Sequence, residues 1–426
     1  MVVFFGLFFL LILLNVPIVY CMLIPCVYYL TTNGIGLTVV AQRLMAGVDS
    51  FPLLAVPLFV LAGQLMNGVG ITKRIFNFCD KLVGHITGGL AHANIIASVI
   101  FAGMSGSAIA DAGGLGAIEL QAMKENGYDE DFSLAITGAS SIIGPIIPPS
   151  VPAIVFAACT GISVGKIFIA GVVPGLIMAA ALGIACTYMC RNKPELKKPR
   201  ASTNELWVAF KAAFFPLLTP VIILYGTFSG VFTPTETSGI TVLYCIILGL
   251  ATKDLKLKEL PHLLRNTART TVSVTVLIAC SALFGYVLTR SQFPQNMAQF
   301  FTGAISNKYV MLIMVNILLL IVGTFMDNSA AIPILGPILV PIAIAYGVNE
   351  YHFALIFILN LMLGLLTPPV GLVLYTLTSV SRVPFERISK AMLPFLGVLI
   401  VVMLIITFIP QTATWLPAFI AQLQIK

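Results

Sequence analysis

Residues 103–116 read GMSGSAIADAGGLG, a small, polar, glycine-rich stretch set inside a long apolar run, and residues 323–336, GTFMDNSAAIPILG, repeat its character. Backbone that leaves helical order at membrane depth must be buried in protein or line a watery cavity, because lipid offers its amides no partner. Two such interruptions at a fixed separation predict a secondary transporter with a duplicated core and a binding site where the halves meet.

Composition sets the solvent. Of 426 residues, 59% are hydrophobic and 9% charged, where a soluble domain carries roughly 25% charged residues. The first 42 residues hold no Lys, Arg, Asp or Glu, so no basic n-region of a secretory signal is present and the opening helix is expected to be retained. The net charge of +7 does not point to nucleic acid, because the cations gather in connecting segments. Arg191–Arg200 is one cluster, and Lys253, Lys256, Lys258, Arg265 and Arg269 form another; both read as cytoplasmic. The eight cysteines show no CxxC spacing and read as small packing residues.

The expected fold class is an all-α polytopic membrane protein: an inverted-repeat elevator transporter with two re-entrant helical hairpins and two broken helices. Residues 1–81 are expected to form scaffold and arm helices, with 2–31 apolar throughout and kinked near Asn15 and Pro17. A first transport repeat spans 82–190, with a hairpin at 82–124, its tip at Ser105–Ala108, and a broken helix at 132–165. The break falls at Gly144-Pro145-Ile146-Ile147-Pro148-Pro149-Ser150-Val151-Pro152, whose four prolines cannot sit in one continuous helix. A cytoplasmic linker (191–205) and further scaffold and arm helices (206–300) follow. The second repeat, 301–409, holds a hairpin at 309–349 around Asp327-Asn328 and a helix at 353–381 broken at Gly364–Gly371. A tail, 410–426, carries Trp415 as an interfacial anchor.

Sliding the chain by 220 residues superposes Gly103 on Gly323, Gly116 on Gly336, Gly144 on Gly364, Pro148-Pro149 on Pro368-Pro369 and Pro174 on Pro394. Corresponding loops carry opposite charge bias, which predicts opposite membrane sides. The first hairpin is expected to enter from the cytoplasm and the second from the periplasm.

Freed carbonyls with neighbouring hydroxyls and a carboxylate make oxygen cages suited to a hard cation such as Na⁺, while half-helix N-termini favour an anion. Ser105, Ser107, Gly144 and Pro148 are expected to line one ion site, and Asp327, Asn328, Thr367 and Pro368 its twin. Each small residue also has a plain packing reading. Asp327 is harder to explain that way, since a carboxylate inside a membrane costs at least about 2.5 kcal/mol. Asp111 and Asn360 are expected to support these sites from behind. Ser150 and Arg290 are the candidate substrate contacts, with Arg290 gripping a carboxylate bidentately; the duller reading lets Arg290 snorkel to an interface. No nucleophile–base constellation, Walker loop or dinucleotide fingerprint occurs, so no enzymatic role and no organic cofactor is expected, and ion-coupled transport is favoured over ATP-driven transport.

The segments FPLLAVPLFVLAGQLM (51–66), GMSGSAIADAGGLG (103–116), GPIIPPS (144–150), GTFMDNSA (323–330) and GLLTPPVG (364–371) resemble the large membrane subunit of tripartite ATP-independent periplasmic (TRAP) transporters. That resemblance implies an elevator mechanism in a bacterial inner membrane, moving two or more Na⁺ ions with an organic acid, either sialic acid or a C4-dicarboxylate. It implies two partners: a small four-helix membrane subunit, expected as a separate chain, and a periplasmic substrate-binding protein. By the same similarity the hairpin serines and Asp327 belong to Na⁺ sites and Arg290 faces the substrate. The alternatives are a stand-alone Na⁺/dicarboxylate symporter and, in another class, a membrane scaffold without transport of its own.

Overall fold

Apolar runs too long for one crossing, punctuated by Gly, Pro and Asn, fold as helices interrupted at those residues. The computed structural model describes residues 1–68, 70–305 and 307–424; among them there is no strand. The first part of the chain gives α1 (Val2–Leu13), α2 (Ile18–Thr32), α3 (Thr38–Val48), α4 (Ala55–Gly68) and α5 (Ile71–Val83). The first repeat follows with α6 (Gly89–Ser105), a single turn α7 (Ala108–Ala110), a π-helical segment at Asp111–Leu115, α8 (Gly116–Glu125), α9 (Glu130–Ser141), α10 (Val151–Thr160) and α11 (Val164–Cys190). Next come α12 (Thr203–Phe228), α13 (Pro234–Ala251), α14 (Leu260–Arg290) and α15 (Phe293–Ala304). The second repeat is α16 (Lys308–Phe325), α17 (Asn328–Ala345), α18 (Glu350–Gly364), α19 (Leu372–Ser381) and α20 (Phe385–Phe408), and α21 (Gln411–Gln424) ends the described chain. Seven of these helices are long and apolar enough to cross a bilayer. The chain is a multi-pass membrane protein.

The repeat is written in the helix ends. α6 stops at Ser105 and α16 at Phe325; α8 stops at Glu125 and α17 at Ala345; α9 starts at Glu130 and α18 at Glu350. All three pairs are 220 residues apart. The caps match too: Asp129 accepts from Phe132 N–H, and Asn349 accepts from Tyr351 and His352 N–H. Both Pro148-Pro149 and Pro368-Pro369 are cis.

Ion pairs sort the loops into two faces. Arg74 meets Asp254, Lys198 meets Asp80, Lys81 meets Glu205, and Arg387 meets Glu130 and Asp131. The Tyr128 hydroxyl donates to Leu196 C=O and so ties the linker to the base of the first hairpin. These contacts define a basic face. On the opposite face Thr235 donates to Phe51 C=O, Lys166 lies over the Tyr351 ring and Tyr346 donates to Ile305 C=O. The first broken helix, α9–α10, runs from the basic face to the opposite one, and the second, α18–α19, runs back. The two halves are inverted.

Several expectations are corrected. Residues 2–31 are not one kinked helix: Asn15 takes φ +57° and the chain doubles back, packing α1 on α2. α3, α15 and α21 lay unnoticed in the sequence, and a single 31-residue helix, α14, takes up much of the 206–300 stretch. All eight cysteines are free thiols and seven are buried.

Close backbone approach holds each hairpin to its broken helix. A Cβ on Gly364 would collide with the backbone of Gly323, whereas one on Gly285 would meet open space. Gly364→Ala is therefore expected to lose about 1–3 kcal/mol through overpacking, read as a lower melting temperature in detergent, while Gly285→Ala leaves it unchanged or higher.

Candidate functional site

Both hairpin tips open onto one cavity of about 370 Å³. Gly106, Ser107, Ala108 and Ile109 of the first tip line it, as do Asp327, Asn328 and Ser329 of the second. Val60 of α4, Thr270, Ser273, Val274 and Leu277 of α14, and residues of both broken helices, among them Pro145, Pro152 and Met362, form the rest of the wall. At 1.5 Å per residue, Thr270 to Leu277 lie about 15–25 Å along α14, near the middle of that helix. Ser107 and Asp327, 220 positions apart in sequence, thus share one space against α14.

Local chemistry shapes each tip. After Ser105 the chain takes φ +60° at Gly106, where Pro149 C=O sits against its Cα and leaves no room for a side chain. Gly106 C=O accepts from Val151 N–H at 3.4 Å, stitching the tip to the proline-rich break. Ser107 Oγ then caps the one-turn α7 by accepting from Ala110 N–H. The twin stitch is Val370 N–H to Thr324 C=O at 3.3 Å. Asp327 caps α17, its Oδ1 accepting from Ser329 N–H at 2.8 Å.

Of the residues expected in the first ion site, Ser107 lines the cavity, Ser105 Oγ accepts from Ser107 N–H, a Cβ on Gly144 would touch the Ser107 backbone, and Pro148 is buried in the break. In the expected twin, Asp327 and Asn328 line the cavity, whereas Thr367 and Pro368 lie in the break loop outside it. Thr367 donates to Leu363 C=O and Pro368 is exposed. Among the described residues no three His, Cys, Asp or Glu side chains converge, so the donors on offer are hydroxyls, carbonyls and one carboxylate. That set suits a hard cation better than a soft transition metal.

Two substrate contacts are not where the sequence put them. Ser150 is the N-cap of α10; its hydroxyl donates to Pro145 C=O and accepts from Ala153 N–H. Arg290 is exposed on the last turn of α14, thirteen residues past Leu277 and so about 20 Å beyond the cavity. The helix was the right one, but the cavity uses its hydroxyl-bearing middle. Thr270 and Ser273 gave one signal, a polar pair i, i+3 on one face of an apolar helix.

Behind the tips, equivalent polar clamps fix the broken helices. Asn94 of α6 donates to Thr137 at 2.8 Å and accepts from Ser140, which also accepts from Ser98. In the second repeat Asn360 donates to Asn316 at 2.7 Å, and Asn316 donates to Thr407. Asn360 thus ties α18 to α16. Asp111 is buried in the π-helical segment, a backbone irregularity that recurs at functional sites.

Residues 5–412 match the family described as the tripartite ATP-independent periplasmic transporter, DctM component. The chain belongs to this family. It is 44% identical over 391 residues, 92% of each chain, to the sialic acid TRAP transporter large permease protein SiaM of Vibrio cholerae. It is 39% identical over 378 residues, 88% of each chain, to the C4-dicarboxylate TRAP transporter large permease protein DctM of Pseudomonas aeruginosa. Its fold is similar to the YdaH transporter of Alcanivorax borkumensis, at a TM-score of 0.64 and 12% identity over 87% of each chain. As a member of a permease family, the chain is a membrane transport component.

Placement of these residues gives opposed expectations for two charges. Asp327→Ala should reduce uptake more than about tenfold, since it removes the one carboxylate that lines the cavity among the described residues and neutral lining cannot replace its charge. Arg290→Gln should leave the KM for substrate unchanged in the same assay.

Proposed function

We propose that this chain is the large permease of a Na⁺-coupled TRAP transporter that imports a polyhydroxylated monocarboxylic acid of the sialic acid type. The observation that carries the reading is the single cavity shared by Ser107 and Asp327 at the two inverted tips. Oxygen donors at the tips would hold Na⁺, and substrate would lie between them against Thr270 and Ser273. At about 370 Å³ the space falls within the range of small-molecule sites. Among the described residues its lining contains no Lys or Arg and several hydroxyl or amide groups. One carboxylate can be met by the N-terminus of α17, whereas a dicarboxylate would bring a second negative charge for which the described lining offers no Lys or Arg. Hydroxyls and amides suit a polyol. The relative from Vibrio cholerae, named for sialic acid, agrees with this choice.

The basic face, rich in Lys and Arg, is the cytoplasmic one by the positive-inside rule, in a bacterial inner membrane. The first hairpin then enters from the cytoplasm and the second from the periplasm. In the elevator reading, repeats 82–190 and 301–409 move together as one body. Scaffold and arm elements 1–81 and 206–300 stay in the membrane, contributing Val60 and α14 as the fixed wall. A small membrane subunit would extend that scaffold and a periplasmic binding protein would deliver substrate.

Uptake of sialic acid into proteoliposomes holding the chain with its small subunit is expected to require an inward Na⁺ gradient and the cognate binding protein. Uptake that persists in K⁺ medium without that protein would favour a stand-alone carrier. Competition by a C4-dicarboxylate equal to that by sialic acid would overturn the substrate class.

A further inference from the structure

α8 turns Gly116, Glu119 and Met123 into the protein. Glu119 is 0% exposed, and neither Oε1 nor Oε2 has a hydrogen-bond partner. The titratable groups that bear on it are Asp111 of the same hairpin, also buried with Oδ2 unpartnered, and Cys79 of α5. α9 offers Thr137 against Gly116, and α19 offers Thr376 against Gly113; both are neutral. The charges on these elements are engaged elsewhere or solvated. Arg74, Lys81 and Asp80 of α5 are in ion pairs, as are Glu130 and Asp131 of α9, and His92 of α6 bonds Thr187. Lys73 and Lys124 are exposed.

A carboxylate enclosed without counter-charge or donor does not persist as an anion in such a site; it neutralises instead. Among the described residues no three His, Cys, Asp or Glu side chains converge here to hold a metal ion. We propose that Glu119 is an exchangeable proton site on the first hairpin, so that one H⁺ travels with the hairpin during the transport cycle. The proposal rests on the transport reading above. Ala117, Leu120, Gln121 and Lys124, on the other flank of α8, line a cavity of about 280 Å³ beside Tyr128 and Ser381 on the basic face. Water able to take the proton therefore lies one helix flank away. The step is simple in its balance: the Glu119 O–H bond breaks, H⁺ passes to water on one face, and the carboxylate regains H⁺ from water on the other.

The test uses proteoliposomes of the chain and its small subunit, with a pH-sensitive dye inside and sialic acid, cognate binding protein and Na⁺ outside. In the wild type, uptake should acidify the lumen. In Glu119→Gln the acidification should be lost while Na⁺-driven uptake persists, and Glu119→Asp should restore it. Uptake without a lumenal pH change in the wild type, or an unchanged signal in Glu119→Gln, would overturn the proposal. Absence of all uptake in the wild type would instead count against the transport reading. Infrared spectroscopy of the membrane-embedded wild type gives a readout independent of uptake and of whether the Gln variant folds. A protonated-carboxyl stretch that shifts in Glu119→Asp is expected, and its absence at neutral pH would overturn the proposal in its own right.

Discussion

Backbone amides freed at membrane depth must find partners within the protein, and the two crossings of hairpin tip and broken helix are where that demand is met. Val151 N–H reaches Gly106 C=O in one half, and Val370 N–H reaches Thr324 C=O in the other. An unsatisfied polar group in hydrocarbon costs several kcal/mol, so each tip is held against its proline-rich loop. Once those loops are fixed, Ser107 and Asp327 have nowhere to point but the space between the repeats.

The halves are equivalent in chain path but not in environment. In the first repeat, residues 142–150 are buried throughout, whereas Pro368 and Pro369 of the second break are exposed. The first tip is covered by α12, where Pro220 packs on Gly103, and by α4, where Gly63 faces Ser105. The two equivalent tips therefore sit in unequal surroundings, the first covered and the second more exposed.

Much of this was legible in the sequence because the signals lie in residue types that dictate backbone shape. Gly103, Gly144, Pro148 and their counterparts fixed the offset of 220, and the helix ends at Ser105 and Phe325 keep it. The positions of Ser107 and Asp327 were legible for the same reason. What the sequence concealed depends on tertiary packing. α5 and α15 are amphipathic and short, so hydropathy over a bilayer-length window passes over them. Arg290 drew attention as a charge ending an apolar helix, yet charge at a helix end is equally what an interface demands, and the cavity took neutral Thr270 and Ser273 instead. Ser150 carried a free-looking hydroxyl, but at an N-cap that hydroxyl belongs to the helix.

The central claim is that the two inverted tips meet across one cavity. It is tested most directly by placing cysteines at Ala108 and Ser329 in a chain whose eight native thiols are replaced, and treating membranes with a short thiol cross-linker. An intramolecular cross-link that forms readily, and is slowed by sialic acid with Na⁺, is the predicted result. A folded, transport-active chain in which those positions never cross-link under any ion or substrate condition would contradict it.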